Sequence, residues 1–263
     1  MNREFYCVSS LPRSGSTLLC NILAQNPRFH ATHTSGCLDV LFGIRNQWHQ
    51  LIEHKAHPDD ASLQRVLKAI LMAYYEDVEK PVIIEKSRGW MAYLELLEQI
   101  LGKQAKILVP IRPLPDILSS MEKLNRETSR VKQPSGEAEN YFQFQTQEGR
   151  CEYWLRGDNL VGLAYNRVMD AIQRGFKDRL HFIKFNELTT NPKDTLNSIY
   201  EFLGEEPYEH NFNHVEQVTT ENDELHGYVG LHTIKPKVVA KSSDAVEILG
   251  QQLVKKYANL DPF

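Results

Sequence analysis

Cysteine is scarce in this chain and unpatterned. Its four cysteines, Cys7, Cys20, Cys37 and Cys151, contain no Cys-x-x-Cys pair, which argues against both a disulfide scaffold and a zinc knuckle and points to free thiols in a reducing compartment. No apolar run is long enough to span a bilayer. The N-terminus puts Arg3 and Glu4 before a short apolar stretch that runs straight into Ser9-Ser10-Leu11-Pro12-Arg13, so neither a signal peptide nor a membrane anchor fits, and a cytoplasmic location is the expectation. A basic surplus is missing too. With a net charge of −4 the surface as a whole repels polyanions, so nucleic acid is not an expected partner, and any anionic ligand must be held by a few placed cations and helix termini.

What is present is an ordinary globular composition, 41% hydrophobic and 24% charged, which excludes a disordered or fibrous chain. Without repeats or low-complexity tracts, short strand-like apolar clusters alternate with longer helical patterns from end to end. That alternation predicts an α/β fold built on an open parallel sheet of four to five strands with helices on both faces, as one domain over residues 1–263. Strands are expected at Phe5 to Ser9, Val82 to Glu85, Lys106 to Ile111 and Leu180 to Phe185. Helices are expected at Ser16 to Gln25, Trp90 to Leu101, Leu114 to Leu124 and Lys193 to Leu203, the last stopped by Gly204. Further helical stretches cover about Leu38 to His54, Asp60 to Glu79 and Glu152 to Arg174. The polar segment Asn125 to Gly149 reads as a loop, either a surface excursion or an acceptor-binding lid.

The most informative stretch is Phe5 to Leu19, a strand, a tight turn and an amphipathic helix. After such a strand the turn amides form an anion nest, and the helix adds its free N-terminal N–H groups and positive dipole end. Gly15 lets the backbone approach an anion with no Cβ in the way. Against the nucleotide-hydrolase pattern Gly-x-x-x-x-Gly-Lys-Ser/Thr, Ser10 stands at the first glycine, Gly15 and Thr17 match, and Ser16 replaces the lysine. That lysine reaches the β and γ phosphates in such hydrolases. Here Arg13 is the nearest cation, with a guanidinium suited to bidentate binding of phosphate or sulfate.

With Arg13-Ser14-Gly15-Ser16-Thr17-Leu18 following a first strand, the chain resembles the sulfotransferase family, nearer to its bacterial and tyrosylprotein-type members than to the cytosolic steroid and phenol enzymes. The resemblance implies that Arg13, Ser14, Gly15, Ser16 and Thr17 contact the 5′-phosphosulfate of 3′-phosphoadenosine 5′-phosphosulfate. It extends to Lys106-Ile-Leu-Val-Pro-Ile-Arg112-Pro-Leu-Pro-Asp-Ile-Leu-Ser-Ser120, where the family sets an arginine and a serine on the 3′-phosphate, implying that role for Arg112 and Ser120. Phe185 stands where the family usually has the tyrosine near adenine. The Lys-Thr-His and Arg-Lys-Gly-x-x-Gly-Asp-Trp sequences of the cytosolic enzymes are missing, and Gly230-Leu-His-Thr-Ile-Lys-Pro-Lys is the segment that takes the latter's place, with Lys235 or Lys237 directed to the 3′-phosphate.

The implied reaction is in-line transfer of the sulfuryl group to an acceptor hydroxyl or amine. Lys86, just past a strand's C-terminal end, is where the family often has a lysine that stabilises the bridging oxygen, a catalytic role that Arg13 shares. Arg88 either helps or pairs with Glu85. For the general base, His33 is preferred over Asp39, Glu85 and the other histidines. It follows the phosphate-loop helix at about the place where tyrosylprotein sulfotransferases carry a catalytic glutamate, and imidazole titrates near working pH. No metal is expected, because Asp/Glu/His ligand clusters are not apparent in the sequence and cations already meet the donor. A phosphate-loop small-molecule kinase and a catalytically inactive nucleotide-binding module are the alternatives, and the acceptor class and oligomeric state stay open.

Overall fold

The computed structural model describes residues 3–263. Five parallel strands form one sheet in the order β2-β3-β1-β4-β5: β1 (Glu4–Val8), β2 (Phe29–Thr34), β3 (Val82–Lys86), β4 (Ile107–Ile111) and β5 (Leu180–Lys184). The helices are α1 (Ser16–Leu23), α2 (Cys37–Gln50), α3 (Ile52–Ala56), α4 (Asp60–Tyr74), α5 (Leu94–Leu101), α6 (Leu114–Thr128), α7 (Tyr141–Phe144), α8 (Gln147–Leu155), α9 (Leu160–Gln173), α10 (Phe185–Thr190), α11 (Pro192–Leu203), α12 (Ala245–Leu249) and α13 (Gln251–Ala258).

The central strands read as unbroken apolar runs because both of their faces are covered. Phe5, Cys7, Ile83, Ile107 and Val109 point into one core with residues of α2, α4, α5, α6, α8 and α9. Their alternates Tyr6, Val8, Val82, Ile84 and Leu108 point into a second core with α1 and α11. The chain winds from β1 to one side as β3 and β2, then crosses to β4 and β5 on the other. The strand order therefore reverses at β1, and in such sheets ligands bind beyond the carboxyl ends of the strands at that reversal.

The expected fold class is observed. Two details differ. Phe29–Thr34, not foreseen as a strand, is the sheet's edge strand β2, whose sequence Phe-His-Ala-Thr-His-Thr carries too few apolar residues to stand out. Its register against β3 breaks between Ala31 and Thr34, and there Thr32 Oγ1 accepts the Lys86 N–H at 2.9 Å. The helix foreseen from Trp90 opens with a 3₁₀ turn, Trp90–Tyr93, before α5. Gly204 closes α11 in the left-handed conformation, φ 72°, as a glycine stop requires.

Between α11 and α12 lies a long segment, residues 205–244, with almost no regular structure. It is pinned to α1 by Asn21, a buried side chain whose Oδ1 accepts from Val218 N (2.6 Å) and Thr219 N (3.0 Å) and whose Nδ2 donates to Thr219 Oγ1 (2.8 Å). This strap closes over the carboxyl end of the sheet.

Candidate active site

A cavity of about 370 Å³ opens at that end, within the range of small-molecule sites. The phosphate-loop turn forms its floor. The backbone is left-handed at Gly15 (φ 88°) and, unusually for a residue with a side chain, at Arg13 (φ 57°). Such a conformation costs a non-glycine residue on the order of 1 kcal/mol and persists only where neighbours impose it. Arg112 does so by donating from Nη1 to the Arg13 carbonyl at 3.2 Å. A Cβ at Gly15 would lie 2.6 Å from the Phe185 ring, so the ring packs directly on the bend. Its face also carries the Arg112 guanidinium, 4.8 Å from the centroid.

The two expected anion anchors meet in this one cavity. Arg13, Gly15, Ser16, Thr17, Arg112, Ser120 and Phe185 all line it, with Lys86, Lys235 and Lys237. Arg13 spans the anchors, donating from Nε to Ser120 Oγ at 3.1 Å and from Nη1 to the Leu231 carbonyl. Its guanidinium therefore sits beside the Arg112 anchor rather than beside Lys86. Burial and then the like charge of Arg112 lower the Arg13 pKa from its ordinary value, and burial lowers that of Arg112. Lys241, not singled out from sequence, also lines the cavity. Burial, then Arg112 and Lys123, push its ammonium down to about 8. Crowded, partly desolvated cations of this kind are stabilised by an incoming anion.

Ser14 differs from expectation. Its hydroxyl is buried and engages the carbonyls of Leu11 (2.5 Å) and Pro110 (2.8 Å), tying the loop to β4, and its side chain is outside the cavity lining. His33 differs as well. Strand alternation leaves it exposed on β2, with Nδ1 2.8 Å from the Thr34 carbonyl, while its neighbour Thr34 takes the place on the cavity wall. Arg88 lines the cavity and does not pair with Glu85. The Glu85 carboxyl is buried, receives the Trp90 Nε1–H on Oε2, and has no partner for Oε1 among the described residues.

Lys86 projects from the end of β3. Its Nζ lies 2.8 Å from Glu221 Oε1 and 3.4 Å from Thr17 Oγ1. Glu221 Oε1 also accepts from Thr34 N (2.9 Å) and Thr34 Oγ1 (3.0 Å). Burial alone pushes the Glu221 carboxyl up, but Lys86 and the Thr34 donors outweigh it and hold it at about 2.

Next to this pair stands His232 of the strap, on the cavity wall. Asp223 grips it twice, Oδ2 accepting from His232 N (3.1 Å) and Oδ1 lying 2.6 Å from Nδ1. Burial lowers the His232 pKa, and the Asp223 hydrogen bond works against that shift. A carboxylate at Nδ1 fixes the proton there and leaves Nε2 with a free lone pair. The sequence expectation of no Asp/Glu/His cluster does not hold, since Glu221, His226 and His232 converge through the strap. Glu221, Asp223, His232 and Lys241 were missed because the strap has no periodicity to place them. The one signal was His232 lying within the Gly230 to Lys237 segment.

A sequence profile described as Sulfotransferase family matches residues 7–210. No curated protein sequence matches the chain. Among solved structures, a sulfotransferase domain from the curacin biosynthetic pathway superimposes with a TM-score of 0.57 at 15% identity, covering 99% of this chain and 97% of its own. The sulfotransferase domain of the Synechococcus PCC 7002 olefin synthase gives 0.52 at 19% identity, covering 98% and 94%. Mouse sulfotransferase SULT7A1, complexed with PAP, gives 0.57 at 16% identity, covering 99% and 82%. At such identities these similarities establish the fold.

Proposed function

This chain belongs to the sulfotransferase family, and on that premise we propose that it transfers the sulfuryl group of 3′-phosphoadenosine 5′-phosphosulfate to an acceptor hydroxyl or amine. The observation that carries the donor assignment is that the phosphate-loop residue Arg13 is bonded to both members of the second anchor, through its side chain to Ser120 and through its carbonyl to Arg112, so that the two anchors share one cavity. One molecule bearing anionic groups at both ends satisfies this arrangement. The similar mouse enzyme SULT7A1 is complexed with PAP, the bisphosphate that such a donor leaves behind.

In this reading Gly15, Ser16 and Thr17 bind the 5′ end by the backbone of the bend and the free amides of α1. Arg112, Ser120, Arg13 and the rim cations Lys235, Lys237 and Lys241 hold the 3′-phosphate, and Phe185 borders the adenosine. Ser14 supports the loop from behind. The bound donor supplies an electrophilic sulfur whose bond to the phosphate oxygen breaks as the acceptor's bond to sulfur forms. Lys86 compensates charge on the departing oxygen. His232 takes the acceptor proton at Nε2, held in the right tautomer by Asp223, and replaces His33 in that role.

The test is calorimetric titration with adenosine 3′,5′-bisphosphate, together with transfer from labelled donor to a panel of hydroxyl and amine acceptors. Saturable binding that is weakened in Arg112→Ala, and label transfer that falls about 10²-fold or more in Lys86→Met, are the expected results. No binding of the bisphosphate, or Mg²⁺-dependent ATP hydrolysis instead, would overturn the proposal.

A further inference from the structure

The two oxygens of Glu221 have separate surroundings. Lys86 Nζ and both Thr34 donors converge on Oε1. Oε2 faces two imidazoles, with His226 Nε2 at 3.4 Å and His232 Nδ1 at 3.5 Å. These separations are long for hydrogen bonds. They match the edge of a metal tetrahedron: nitrogen and oxygen ligands about 2.0 to 2.2 Å from Zn²⁺ lie about 3.4 Å from each other when four-coordinate. A ligand atom from each of Glu221, His226 and His232 falls within 4.8 Å of the others.

We infer that Glu221 Oε2, His226 and His232 form a binding site for a four-coordinate transition-metal dication of the Zn²⁺ class. Asp223 Oδ1, 2.6 Å from His232 Nδ1, is hydrogen-bonded there and too close to be a second ligand as it stands, so the ion takes Nδ1 by displacing that bond. Two imidazoles with carboxylate oxygen select borderline ions such as Zn²⁺ and Co²⁺ over Mg²⁺ or Ca²⁺. The donors on Oε1 orient the carboxylate from behind, as the outer hydrogen bonds of metal ligands do. His226 is 39% exposed and outside the cavity lining, so the ion has an entry path that does not pass through the donor site.

Occupancy has a chemical consequence, which rests on His232 being the base. A neutral imidazole bound through Nδ1 carries its single proton on Nε2. The lone pair that would accept the acceptor's proton is then gone, while the proton count of the ring is unchanged. The metal is therefore an inhibitor of transfer and not a participant in it.

The experiment uses the full chain freed of metal by chelator. Co²⁺ is titrated while its visible absorption is followed, and Zn²⁺ is titrated by calorimetry, on the wild type and on His226→Ala. The expected results are one ion per chain, the absorption of four-coordinate Co²⁺, and at least about a tenfold weaker affinity in His226→Ala. Metal-free turnover of His226→Ala is expected to equal that of the wild type. Flat titrations, or equal affinity in His226→Ala, would overturn the site. Binding with undiminished turnover would uphold the site and refute His232 as the base, so the two claims fail separately.

Discussion

Lys86 Nζ and Glu221 Oε1 are 2.8 Å apart although 135 positions separate them in the chain, and their side chains are only 7% and 5% exposed. This pair fastens the irregular strap to the end of β3. Removing one partner strands a buried charge at a cost of roughly 3 to 5 kcal/mol, whereas removing both is far less damaging. Lys86→Met is therefore expected to lower the melting temperature by several degrees, and Lys86→Met/Glu221→Gln to recover most of that loss. Turnover should behave differently, falling about 10²-fold or more in both variants because the Lys86 ammonium stands 3.4 Å from Thr17 Oγ1 at the phosphate loop. A double variant that regained wild-type turnover along with its melting temperature would show that Lys86 acts only in the fold.

Arg112 contacts the Arg13 carbonyl and the Phe185 ring and lines the cavity beside Ser120. If it holds the 3′-phosphate, Arg112→Ala forfeits a charged hydrogen bond worth about 1.5 to 3 kcal/mol. Affinity for adenosine 3′,5′-bisphosphate should fall about 10- to 100-fold, and affinity for adenosine 5′-phosphate should change little. Equal losses for the two ligands, measured by calorimetry, would place Arg112 elsewhere on the nucleotide.

Gly15 combines a φ of 88° with a Cβ position 2.6 Å from the Phe185 ring. Gly15→Ala meets both the left-handed penalty, on the order of 1 kcal/mol, and the clash. The expected outcome is loss of bisphosphate binding with a lowered melting temperature. Adding Phe185→Ala removes the clash and leaves the backbone penalty, so the double variant should recover stability only in part. Full recovery would mean that the φ requirement carries no weight.

The sheet was legible because β1, β3 and β4 are buried on both faces and so appear as continuous apolar runs. The edge strand β2 was not, since its outward residues include His33 and its inner ones include polar Thr32. That Arg13 to Thr17 and Arg112 to Ser120 face one cavity was legible for a related reason: each stands at a strand-to-helix junction, where local sequence dictates geometry. The other half of the site comes from residues 221–241, which reach the cavity through long-range bonds such as those of Asn21 to Val218 and Thr219. Asn21→Leu leaves the two strap amides unpaired, and each buried group so orphaned costs about 1 to 3 kcal/mol. Faster proteolytic cleavage within 205–244, with reduced transfer, is the expected result, and an unchanged cleavage pattern would show that Asn21 does not hold the strap.

Glu85 offers a test of the core that is independent of the reaction. The residue is 1% exposed, and its carboxyl accepts from Trp90 on one oxygen and has no partner on the other among the described residues. Burial raises its pKa to about 7, with the nearby Ser35 hydroxyl and the Trp90 N–H opposing the shift. A carboxyl whose folded pKa lies above its unfolded value favours the fold while protonated. That contribution is complete below about pH 4.5 and is lost as pH rises through about 7. The span corresponds to at most roughly 3 to 3.5 kcal/mol, or several degrees in a chain of this size. Glu85→Gln keeps an acceptor for Trp90 and removes the titration. The melting temperature of the wild type should therefore drop between pH 5 and 8 relative to that of Glu85→Gln, the two curves converging on the acid side. Parallel curves across that range would mean that Glu85 is ionised in the folded protein and that its unpartnered oxygen is solvated.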